Sequence, residues 1–76
     1  MILKKFIAER NAVLLSLDKQ KILDYGEKYG LKFPNSDLIF WAAVHKARLS
    51  ILNFPEEEKE TSRAWLIENG FDREVI

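Results

Sequence analysis

Residues 40–49, FWAAVHKARL, form the densest apolar run of the chain and enclose its single histidine. Their spacing decides the fold. At about 100° per residue, two apolar arcs emerge. One holds Leu38, Trp41, Ala42, His45, Leu49 and Leu52; the other holds Phe40, Val44, Ala47 and Ile51. A helix that is apolar on two sides belongs in the middle of a bundle. The pattern therefore predicts a central helix over residues 37–52. Pro34 pushes Phe33 out of helical angles. Asn35 or Ser36 then caps the helix, with Asp37 in its first turn.

Working outward, three more segments carry helical spacing, and none alternates with the period of two expected of half-buried strands. The first spans about Ile2 to Leu15, with Leu3, Phe6, Ile7, Val13, Leu14 and Leu17 on one side. Arg10 falls inside that arc, where its stem can pack while the guanidinium reaches water. The second opens at Ser16 as N-cap, with Asp18 in the first turn, and closes at Gly30 as a left-handed C′ residue followed by Leu31. Its inward stripe is Ile22, Tyr25, Gly26 and Tyr29. Gly26 costs about 1 kcal/mol against alanine in a helix interior, so a close approach by a neighbouring helix or a Trp ring is expected there. The fourth starts with Pro55 at the first helical position, followed by Glu56, Glu57 and Glu58. Gly70 and Phe71 end it. Thr61, Ser62, Trp65 and Leu66 face inward, and Trp65 supplies most of the docking area. "EKYGL" and "IENGF" share only the chemistry of a helix stop. The tail DREVI is expected to be loose.

The expected fold is all-α: a compact four-helix domain over residues 1–76 with the third helix central. Tyr25, Trp41, His45 and Trp65 are the predicted structural core. A chain of 76 residues has little surface to bury and usually needs extra support. It has no cysteine and one histidine, so disulfides and thiolate metal sites are excluded. Regular helix packing and a partner chain remain.

Composition is ordinary, with 47% hydrophobic and 32% charged residues and no net charge. No apolar run reaches the length of a membrane span. Lys4, Lys5, Glu9 and Arg10 interrupt the apolar start, unlike a secretory leader. A cytoplasmic protein is expected. Charge is unevenly spread: residues 1–52 hold nine Lys/Arg and five Asp/Glu, and residues 53–76 hold three and seven. The acidic excess fits the exposed face of the fourth helix.

His45 is the first candidate for chemistry. As a base it needs a nucleophile and an orienting group; as a zinc ligand it needs partners of its own kind. Its neighbours on the helix are Trp41, Ala42 and Leu49, which supply neither. It reads as a core histidine, with Tyr25 or Tyr29 as a hydrogen-bond partner. No serine or threonine sits in a nucleophile elbow, and three glycines make no phosphate loop. No cofactor, metal or catalytic residue is expected.

Two functional classes remain. The first is a non-catalytic accessory module that binds a protein partner or a second copy of itself. Its candidate contact residues are Lys46, Arg48 and Phe71, with Phe33, Ile39, Phe54 and the Val75–Ile76 tail as further exposed apolar groups. The alternative is a nucleic-acid-binding accessory protein. Lys4, Lys5, Lys19, Lys21, Lys46 and Arg48 would contact phosphates. The third helix offers only Lys46, Arg48 and Ser50 as an outward polar face, too little for reading base edges.

The phrases ERNAVLLSLDKQKI (9–22), KYGL (28–31) before Pro34, FWAAVHKAR (40–48) and WLIENG (65–70) resemble small bacterial proteins of phage or mobile-element type. The likeness extends along most of the chain and includes a FWxxVHKA motif. It implies a cytoplasmic accessory protein. No activity is attached to that group, so it assigns no functional residues.

Overall fold

The computed structural model describes residues 2–71, with side chains from Ile7 onward. Expectations for the DREVI tail, and for the side chains of Leu3, Lys4, Lys5 and Phe6, lie outside the described residues. Four α-helices follow one another: α1 (Ile2–Ser16), α2 (Lys19–Lys28), α3 (Asp37–Ser50) and α4 (Glu56–Glu68). No strand occurs among the described residues, so the chain is all-α. Contacts divide it into two compact units, residues 1–33 and residues 34–76.

In the first unit α1 packs on α2. The corner between them differs from expectation. Asp18, not Ser16, caps α2: its backbone is extended and its carboxylate accepts the Lys21 N–H at 3.2 Å. Ser16 is the last residue of α1. Its hydroxyl donates back to the Val13 carbonyl at 2.6 Å and accepts the Asp18 N–H at 3.1 Å. A serine hydroxyl bonds readily to its own preceding turn, which leaves the helix dipole to the charged carboxylate two residues on. Between them Leu17 takes φ +50°, a left-handed conformation that costs a branched side chain about 1 kcal/mol. The hydrogen bonds on either side hold it there.

The end of α2 follows the expected pattern. Gly30 has φ +71°. Leu31 N–H reaches the Gly26 carbonyl at 2.7 Å, and Gly30 N–H reaches that of Glu27 at 3.4 Å. This pair of bonds defines the Schellman stop. Gly26 is buried because a ring lies on it. That ring belongs to Phe33 of the connecting strand of chain, neither to a helix nor to a Trp; a Cβ at position 26 would stand 2.3 Å from Phe33 Cε2.

In the second unit α3 packs on α4. Ser36 caps α3, accepting the Ile39 N–H at 3.4 Å. The helix stops at Ser50 rather than Leu52. Ser50 donates to the Ala47 carbonyl, and a turn closes from Phe54 N–H to the Ile51 carbonyl at 3.2 Å. That turn buries Phe54, expected at the surface, to 5% exposure, and leaves Leu52 89% exposed. Pro55 sits one position before its expected place. Its ψ of 133° is extended, so it is the N-cap, and its carbonyl accepts from Glu58 and Lys59. Thr61, expected inward, is exposed and bonds to the Glu57 carbonyl. Ser62 and Leu66 provide the fully buried face of α4. At its end Gly70 (φ +85°) repeats the same stop: Phe71 N–H binds the Leu66 carbonyl at 2.7 Å.

Candidate functional site

The chemistry-bearing side chains of the second unit meet along the α3–α4 seam. His45 is buried there. Its Nδ1 lies 2.9 Å from the Ser62 hydroxyl, one full helix away. Its ring stacks on Trp65 at 4.6 Å and 22°, and Trp41 lies 6.3 Å away, tilted by 40°. The hydrogen-bond partner is therefore Ser62, not a tyrosine as expected; the Tyr29 hydroxyl donates to Glu9 instead. Burial lowers the His45 pKa to about 4, with the nearby Arg48 charge adding to the effect. The imidazole is neutral at pH 7.

An imidazole bonded to a hydroxyl has the form of a base with its nucleophile. Here Ser62 has no exposed surface, and Trp65 stacks on the imidazole ring. A base whose pKa lies near 4 also takes up a proton weakly at neutral pH. The pair acts as an interior hydrogen bond.

Arg48 gives the largest departure from expectation. Its charge predicts a place on the outward polar face as a partner or phosphate contact, yet it is 0% exposed. Its Nη2 pairs with Glu58 Oε1. The guanidinium lies over the Phe54 ring at 5.3 Å. Nε and Nη1 have no hydrogen-bond partner among the described residues. The reason is helical geometry. At about 100° per residue position 48 falls in the gap between the two apolar arcs, so both sides of the guanidinium face apolar neighbours. The gap is visible in the sequence, but a charged residue inside it suggests an exit to water.

The other predicted contact residues are also engaged. Lys46 Nζ lies over the Phe71 ring at 5.6 Å. Phe71 is half-buried and stacks on Trp65 at 6.2 Å and 12°. Of the predicted core, His45 and Tyr25 are buried, while Trp41 and Trp65 are half-buried. Phe40 meets Trp41 edge-on at 5.1 Å. Phe33 rests on Gly26, and Ile39 remains 43% exposed.

The first unit holds a different arrangement, one that sequence reasoning missed. Glu9 of α1 receives Lys28 Nζ at 3.0 Å and the Tyr29 hydroxyl at 2.9 Å. The hydrogen bonds to this carboxylate raise the pKa of both donors; its charge comes next for Lys28, whereas burial comes next for Tyr29. Glu9, Val13, Lys21, Asp24, Tyr25 and Lys28 surround a shallow cleft of about 250 Å³, below the usual size of a ligand pocket. Nothing local in the sequence announces a carboxylate and an ammonium nineteen positions apart as partners. Among the described residues no group of three or more His, Asp or Glu is placed to hold a metal ion.

The chain matches no protein-family model, no curated protein and no solved structure.

Proposed function

We propose that this chain is a small non-catalytic helical accessory module that works by binding another protein, a second copy of itself included. One contrast carries the reading. The groups suited to chemistry, His45, Ser62 and Arg48, are enclosed, whereas large apolar side chains are left outside. In the second unit Leu52 is 89% exposed, Ile67 54% and Leu38 46%. On a chain this small, such exposure favours a surface that works by being covered. A cysteine-free chain suits the cytoplasm. No helix among the described residues is long and apolar enough to cross a membrane.

The polyanion alternative finds less support. Arg48 is withdrawn from the surface, and Lys28 is held by Glu9. Salt-dependent gel shifts separate the two readings, since phosphate binding weakens steeply with salt.

Light scattering on the purified chain, together with capture from its native host, tests the proposal. Association that Leu52→Ser and Ile67→Ser weaken, at unchanged helicity, is the expected result. A strict monomer that captures no protein contradicts it.

A further inference from the structure

The α4 stop holds the chain's only Asn–Gly pair, Asn69–Gly70; the other asparagines precede Ala, Ser and Phe. Glycine presents no side chain to shield its backbone nitrogen, so that nitrogen is the least hindered nucleophile a neighbouring asparagine amide can meet. Both residues are exposed. A Cβ at position 70 would have nothing within 4 Å, so no neighbour crowds the site.

The fold holds the two reacting groups apart. Asn69 Nδ2 donates to the Trp65 carbonyl at 2.8 Å. Gly70 N–H, the nucleophile, donates to the Ile67 carbonyl at 3.2 Å. Asn69 has ψ 14°, whereas ring closure needs Gly70 N swung across the Cα–C bond to the Cβ side. All three restraints belong to the same helix stop.

We infer that Asn69–Gly70 is a site of spontaneous covalent modification, opened by fraying of the α4 C-terminal turn. Gly70 N gives its proton to water and attacks Asn69 Cγ. A C–N bond forms, the Cγ–Nδ2 bond breaks, and the leaving nitrogen takes a proton from water and departs as ammonia. Water then opens the succinimide at either carbonyl, giving aspartate or isoaspartate. No oxidant or enzyme is needed. The product cannot rebuild the stop. Nδ2 is gone, and a carboxylate now faces the negative end of the helix dipole. An isoaspartate also lengthens the backbone by one carbon. The Phe71 ring, which follows directly, loses the turn that sets it on Trp65. One exchange thus marks, irreversibly, how often the end of α4 has opened.

Peptide mass mapping over time at mildly alkaline pH tests this, on the full chain with and without unfolding urea. In urea Asn69 is expected to convert before Asn11, Asn35 and Asn53. In the folded chain its conversion is expected to be about tenfold slower, the factor for a local opening of about 1.4 kcal/mol. Trp65→Phe, which loosens the stack, should narrow that ratio. Asn69→Gln keeps an amide but needs a larger ring, and should remain unconverted. Equal rates in folded and unfolded chain would overturn the gating. Prior conversion of another asparagine in urea would overturn the site.

Discussion

The two units are fastened by opposite means. In the first, α1 meets α2 through an exposed polar clamp, with Glu9 receiving Lys28 and Tyr29 at the rim. In the second, α3 meets α4 through a buried polar seam, His45 with Ser62 and Arg48 with Glu58. Water reaches the first set throughout; in the second it reaches only the 38%-exposed Glu58 carboxylate, while His45, Ser62 and the Arg48 guanidinium are enclosed. Surface ion pairs contribute little, because solvent and salt screen them. Buried charges contribute little net stability when paired, but losing one partner is costly. The lesson is that the seam should be sensitive to single deletions and the clamp nearly indifferent to them.

The largest expected effect comes from Glu58→Ala. It leaves the Arg48 guanidinium enclosed without a counter-charge, at a cost of about 3 kcal/mol in urea unfolding. Arg48→Met removes the charge while keeping much of the volume, and should be near neutral or slightly stabilising by the same measure. If Glu58→Ala proves harmless, the guanidinium reaches water and the contrast collapses.

Gly26→Ala comes next. Helix propensity favours alanine by about 1 kcal/mol, but the new Cβ meets the Phe33 ring at 2.3 Å. Overpacking of this kind costs about 1–3 kcal/mol, so a net loss of about 1 kcal/mol is expected. In a Phe33→Ala background the same change should become favourable. A double-mutant cycle on thermal unfolding measures that reversal.

The smallest effect belongs to Glu9→Gln. Its loss should shift the unfolding midpoint only slightly, and moderate salt should erase the difference. A large, salt-independent shift would place the clamp with the seam instead.

How much of this was legible in the sequence follows the same division between local and distant contacts. Four helices and both glycine stops could be read because periodicity and capping are local. The cap of α2 was misplaced by two residues because Ser16 and Asp18 are both good caps, and only the hydrogen bonds decide between them. Leu52 was assigned to α3 because it continues an apolar arc; the Ile51–Phe54 turn that ends the helix carries no strong signal. Ser62 was placed on the inward face of α4, but nothing nearby paired it with His45. For Arg48 the two local signals conflict: its charge points to water and its position points inward. Glu9 was invisible as a clamp because its partners lie nineteen and twenty positions away.

The account rests on His45 being a neutral, enclosed member of the α3–α4 seam. Its folded pKa lies near 4, below the ordinary 6.5. Between those values the unfolded chain binds a proton that the folded chain refuses. Stability from this group is therefore complete above pH 6.5 and drains as pH falls toward 4, by at most a tenfold change in the unfolding equilibrium per pH unit. Because the chain has one histidine, a single imidazole resonance can be followed by NMR through an acid titration. A midpoint near 4, or unfolding before any midpoint is reached, is the predicted result. A reversible midpoint at 6.5 or above in the folded protein would contradict it.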